Sequence, residues 1–133
     1  MKRLGVLVLF VAMAVLLSAC GSDNTPAGFS YGGQWSGTIQ DSMAGSGTLT
    51  ATLTQSGNTL GGTWQAVFAA GSNGGSAIGT INGSQVVLEL EPSNVLTCPF
   101  RVVATRSGTT LAGNYAAFNC LDTVTGTVNI SKN

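Results

Sequence analysis

Histidine is absent from this 133-residue sequence, and charge is scarce: five Lys or Arg and five Asp or Glu make up only 8% of it. Without an imidazole, neither a Ser-His nor a Cys-His nucleophile pair can be assembled. Paired carboxylates are then the one remaining acid-base arrangement. The nearest pair, Glu89 and Glu91, shares a strand face that alternation turns to solvent, and a solvated edge explains both. Asp41 and Asp122 stand beside turn residues, where carboxylates cap backbone groups. Asp122, near Cys120, lacks the run of oxygen ligands at loop spacing that a calcium site uses. No catalytic residues, no metal and no cofactor are therefore expected, and the protein reads as a non-enzyme. A phosphate-binding surface needs clustered Lys or Arg, and the scattered Arg101, Arg106 and Lys132 do not make one, so nucleic acid is not an expected partner.

Charge is concentrated at the very start, where Lys2 and Arg3 precede an almost unbroken apolar run from Leu4 to Leu17. The run is long enough to engage a secretion machinery but short for a permanent span of about 20 residues. Leu17-Ser18-Ala19-Cys20 then resembles the lipobox of bacterial lipoproteins. That resemblance implies a signal peptide, residues 1 to 19, removed before Cys20. It also implies a diacylglycerated Cys20 sulfur and an acylated new amino group, palmitate being a usual chain. Two or more acyl chains anchor stably where one does not. Gly21 and Ser22 follow, with no Asp directly after the cysteine, which by the same resemblance implies lipid anchoring in the outer membrane, facing the periplasm. The alternatives are a conventional signal peptide with an incidental cysteine, or an uncleaved anchor helix.

Removing residues 1 to 19 leaves 114 residues, the size of one domain. Residues 20 to 33 are rich in turn and linker types and carry no apolar period, so they read as the lipidated cysteine and a flexible tether. Phe29 and Tyr31 within it have an alternative use, covering one end of the domain.

From residue 34 to 133 the dominant period is two. Trp35, Gly37 and Ile39 alternate with polar residues, as do Leu49, Ala51 and Leu53. Leu60, Gly62, Trp64, Ala66 and Phe68 share a face beyond a turn at Gln55-Ser56-Gly57-Asn58, and Gly71 to Gly75 reads as a loop. A short strand, Ala77 to Ile81, meets Asn82-Gly83, a strong hairpin signal, and Val86, Leu88 and Leu90 follow. Three more strands span Leu96 to Arg106, Thr110 to Phe118 and Thr123 to Ser131. Residues 55 to 64 and 106 to 115 echo one another, each a turn leading into Leu-x-Gly-x-aromatic. Eight strands joined by short turns expose two edges unless the sheet closes. The expectation is all-β: an eight-stranded antiparallel up-and-down meander closed into a barrel, with a two-sheet β-sandwich as the alternative. An outer-membrane barrel fits poorly, because one face of the strands is Thr, Ser and Gln where a lipid-facing band is apolar.

Gly33-Gln34-Trp35 opens the first strand and resembles the Gly-x-Trp that begins lipocalin and avidin-like barrels, where the ring closes the barrel bottom. The resemblance implies the fold and not a ligand. The inward Trp35, Trp64, Phe68, Phe100 and Tyr115 are the candidate ligand-binding residues. With small residues among them, they suggest a binding module for a small apolar ligand. The alternatives are a module for an envelope protein, on a plan similar to small periplasmic inhibitors of metalloproteases, or a purely structural envelope lipoprotein. A lipidated Cys20 would block the free N-terminus such inhibitors insert.

With Cys20 assigned to lipid, Cys98 and Cys120 remain for each other as a disulfide bond in an oxidising envelope. If Ser107-Gly108 centres its hairpin, Cys98 falls opposite Ala117 and both cysteines lie at one end of the barrel. The bridge then restrains the unfolded chain by about 3 kcal/mol in the entropy model. Labelled palmitate is expected to enter the protein, and Cys20→Ser to abolish its incorporation; label retained by the variant would refute the lipobox reading.

Overall fold

A computed structural model describes residues 28–133; the lipobox, Cys20 and the tether up to Ala27 lie outside the described residues. Eight strands follow in chain order: β1 (Gly33–Asp41), β2 (Gly45–Ser56), β3 (Thr59–Phe68), β4 (Gly71–Asn82), β5 (Gln85–Pro92), β6 (Phe100–Ser107), β7 (Thr110–Ala117) and β8 (Thr125–Lys132). Each pairs antiparallel with the next, and β8 returns to β1, giving a closed barrel. The closing ladder runs from Trp35 opposite Lys132 to Asp41 opposite Gly126, so no edge is left unpaired.

Alternation decides which side chains fill the barrel. Inward positions carry Trp35, Ile39, Leu49, Leu53, Trp64, Leu88, Leu90, Val102, Tyr115 and Ile130, all buried, and among the described residues no polar or charged residue is buried. Outward positions on β1, β2 and β8 carry Thr, Ser, Gln and Asn. On these strands the outer wall is polar, opposite to the apolar band of a lipid-embedded barrel, while Val67, Ile78 and Val103 stand exposed on β3, β4 and β6.

Strand limits differ from the sequence reading by one or two residues at the ends of β6, β7 and β8, and by more at the starts of β4 and β6. Gly71 to Gly75 is not a loop, because β4 begins at Gly71 and pairs along its whole length with β3. A ladder that closes the barrel recruits residues whose propensity alone would leave them irregular. Conversely, β6 starts at Phe100 and not Leu96, since the segment before it breaks at Pro92, leaves the sheet and rejoins after Pro99.

The three hairpins at one end share a single geometry. Their central pairs are Gly57-Asn58, Gly83-Ser84 and Gly108-Thr109, with the glycine at φ 59°, 63° and 59° and the second residue at negative φ. This is the II′ turn, which needs glycine at its first central position and matches the twist of the flanking strands. The Asn82-Gly83 signal therefore lies one residue earlier than the turn it marks. Likewise the β6–β7 hairpin centres on Gly108-Thr109, placing Ala117 opposite Phe100 rather than Cys98.

That turn end is the barrel's base, and Phe29 and Tyr31 cover it. Tyr31 is fully buried; its carbonyl accepts the Trp35 indole N–H at 2.8 Å, and its amide donates to Gln55 Oε1 at 2.8 Å. Phe29 packs edge-on to Tyr31 at 5.0 Å, with the Arg106 guanidinium 4.2 Å and the Lys132 ammonium 5.6 Å from its ring centre. The ordered domain thus begins before residue 34, and these two aromatics take the covering role.

Gly126 shows how the large rings fit. It faces Tyr115 across the β7–β8 ladder, and a Cβ there would lie 2.1 Å from the Gln40 carbonyl oxygen and 2.4 Å from the ring's Cζ. The phenol ring occupies the space a side chain would take. Gly126→Ala is expected to displace Tyr115 and the β1 backbone at Gln40 and to cost about 1–3 kcal/mol in urea unfolding, the usual penalty for overpacking; an unchanged midpoint would refute this account of the packing.

Candidate functional site

The meander gives the barrel two unlike ends. The base is closed by tight turns and by Tyr31. The other end carries four connections, residues 42–44, 69–70, 93–99 and 118–124, and is the only end with long loops.

Of the five candidate ligand-binding aromatics, Trp35 lies at the base, stacked on Tyr31 at 6.4 Å. The other four gather at the loop end. Phe100 sits edge-to-face with Trp64 at 6.4 Å and with Tyr115 at 5.7 Å, both at 88°. With Phe68, Ile39 and Asn73 they line a cavity of ≈ 40 Å³ that opens toward the loops. Deeper in the barrel, among Leu49, Ala51, Leu88, Val102 and Ile130, a second void measures ≈ 20 Å³. Sites for drug-sized ligands run from about 300 to 1,000 Å³; the first space is of a size for a water or two beside Asp41 and Tyr115, and the second, walled by apolar side chains, is of the kind that stays dry. Two larger depressions, ≈ 490 and ≈ 420 Å³, are open grooves on the outer wall. One crosses Thr50, Thr52, Thr63 and Gln65 and reaches Trp64 and Ser93; the other crosses Ile78, Val87 and Glu89 and stays clear of the ring cluster at the mouth.

Asp41 stands at the rim of the mouth and was missed as a site residue. The signal was available, since Asp41 continues the inward series Trp35, Gly37, Ile39. Its Oδ1 accepts the amides of Met43 and Ala44, both at 2.8 Å, and its Oδ2 accepts the Tyr115 hydroxyl. Partial burial acts to raise the Asp41 carboxyl, but the Tyr115 hydroxyl and the two loop amides outweigh it and hold the group below the ordinary carboxylate value. Burial, then the adjacent Asp41, push the Tyr115 phenol well above its usual range. The pair is therefore carboxylate and neutral phenol, a fixed hydrogen bond rather than an acid-base couple poised near neutrality.

Around the mouth the loops expose large apolar side chains. Met43 is 81% exposed, Val95 93%, Leu96 90% and Leu121 fully exposed, on three of the four loops. Two of those loops are joined by the Cys98–Cys120 disulfide, with Cα atoms 5.9 Å apart. The Asp122 carboxylate lies 3.3 Å from Cys98 Sγ, a contact and not a hydrogen bond, because a disulfide sulfur carries no proton. Cys98, Cys120 and Asp122 come within 4.8 Å of one another, yet the sulfurs are bonded to each other and supply no thiolate.

No protein-family model matches the chain, and no curated protein matches it.

The Asp41–Tyr115 pair makes stability depend on pH at both extremes. The carboxyl's folded value is depressed, so its contribution is complete above the unfolded value of about 4 and drains away as pH falls through the folded one. The phenol's folded value is raised, so its contribution is complete below about 10 and declines as pH rises further. Tyr115→Phe is expected to lower stability by about 1–2 kcal/mol at pH 7 and to flatten thermal-midpoint profiles above pH 10 and below pH 4. Profiles parallel to wild type would show that the hydrogen bond carries no such linkage.

Proposed function

We propose that this chain is a non-enzymatic binding module of a bacterial envelope, held to a membrane by lipidated Cys20 and engaging its partner with the loop end of the barrel. One observation carries the reading. The exposed Met43, Val95, Leu96 and Leu121 all lie at the same end of the barrel, while the interior holds voids of only ≈ 40 and ≈ 20 Å³. Exposed apolar groups gathered at one place mark interaction sites, whereas single scattered ones do not.

A small apolar ligand inside the barrel draws less support. Entry would require Trp64, Phe100 and Tyr115 to leave their edge-to-face contacts, each worth about 0.5–1.5 kcal/mol. The resemblance of Gly33-Gln34-Trp35 to barrel-opening motifs concerns the base, where Trp35 packs on Tyr31, and implies nothing about a ligand. The non-enzymatic part of the reading rests on composition, above all on the absence of histidine.

Native mass spectrometry of the intact chain, released from detergent micelles in the gas phase, separates the two. The expected spectrum is lipidated protein alone. A retained mass of a few hundred daltons that disappears in a Phe100→Ala variant would move the function into the barrel.

A further inference from the structure

The described residues carry their charge unequally. At the loop end stand Asp41, Glu91 and Asp122, with Glu89 and Arg101 just below them. Arg101 is the only cation on that half, and it is committed: it meets Glu89 at 3.0 Å and covers the Phe118 ring at 4.6 Å. The other two positive side chains, Arg106 and Lys132, lie at the base, stacked on Phe29. The loop end therefore presents apolar tips among carboxylates with no free positive group.

We propose that the loop end is a docking surface for a basic, amphipathic segment of a partner protein, which lays apolar side chains on Met43, Leu96 and Leu121 and seats a lysine or arginine at the mouth beside Asp41. This rests on the reading that the loop end is the working surface, and it adds the partner's chemistry. Charge complementarity chooses among occupants. An anionic bilayer would be repelled by three carboxylates, and a second copy meeting loop to loop would set the same carboxylates against each other. A segment with Lys or Arg between its apolar residues satisfies both features.

The mouth supplies the seat. Asp41 Oδ1 already accepts two amides and Oδ2 one hydroxyl, so one acceptor position of the carboxylate's four remains for an incoming cation. The half-buried Phe68 and Phe100 line the same opening, and aromatic rings attract cations within about 6 Å. The Cys98–Cys120 bridge holds two of the apolar loops together before any partner arrives, which lowers the ordering cost of association.

The test uses the full-length chain in detergent micelles and three fluorescent synthetic peptides of equal length: alternating Leu/Lys, alternating Leu/Glu and alternating Ser/Lys. Three variants accompany the wild type: Glu91→Gln/Asp122→Asn, Leu96→Ser/Leu121→Ser and, on the outer wall, Ile78→Ser. Micelle binding is common to all four proteins, so differences among them report the protein surface. The Leu/Lys peptide is expected to bind best, to lose about tenfold in affinity with either loop-end variant and nothing with Ile78→Ser. Its binding should also weaken as ionic strength rises from about 0.05 to 0.5 M. Leu/Glu binding as tightly as Leu/Lys, with Leu96→Ser/Leu121→Ser still impairing both, would overturn the basic partner while leaving the loop-end reading intact. Equal binding of all three peptides to every variant would overturn both. Tight association with anionic vesicles, lost in Leu96→Ser/Leu121→Ser, would assign the tips to a bilayer and overturn the protein partner.

Discussion

The ladder between β1 and β8 is the interaction on which the rest depends. It joins the first strand to the last, and until it forms the sheet has two edges and two faces that water can reach. Once Trp35 lies opposite Lys132 and Asp41 opposite Gly126, alternation leaves no choice about what is inside. A one-residue slip would turn Ser36, Thr38 and Gln40 inward and expose Trp35 and Ile39. The covering of the base reinforces that register, since the Tyr31 carbonyl holds the Trp35 indole and the Asn133 amide donates to Gln34.

Closure also explains why the interior is full. Eight strands leave a bore just wide enough for side chains, and this one receives two indoles and two phenols. Glycines beneath the rings absorb the excess: Gly126 under Tyr115 and Gly47 beside Phe68, where a Cβ would lie 2.6 Å from the ring. Two of the glycines that in isolation suggest room for a ligand thus make room for the protein's own rings, while Gly37, Gly62, Gly75 and Gly113 let neighbouring strands approach closely, a Cβ on each falling about 2 Å from the next strand's carbonyl oxygen. The fold thus uses its aromatic inventory on the core and the mouth, and what remains for recognition is the loops.

Much of this was legible in the sequence. The inward sets of β1, β2, β3, β5 and β8 follow from period two, and the Cys98–Cys120 bridge from having two cysteines left to pair. The register of β6 on β7 was less legible, because Ser107-Gly108 and Gly108-Thr109 are equally plausible turn centres until the II′ geometry places glycine first. β4 was obscured by its composition, since Gly71-Ser72-Asn73-Gly74-Gly75 carries turn residues that the β3 ladder overrides. The grouping of Met43, Leu96 and Leu121 was invisible for a different reason. They lie in three separate loops, and only the meander's strand order brings those loops to one end.

The same topology gives the lipid anchor a direction under the proposed reading. The chain enters the barrel at the base, where Phe29 and Tyr31 are seated, so the tether leaves from the end opposite the apolar loops. Between Cys20 and Gly28 the chain spans at most about 30 Å at full extension. A domain on so short a lead keeps its base, which carries Arg106 and Lys132, toward the lipid surface. The carboxylate-bearing loop end is then turned away from the bilayer that holds it. On a tethered protein the apolar tips are thus directed at whatever stands opposite.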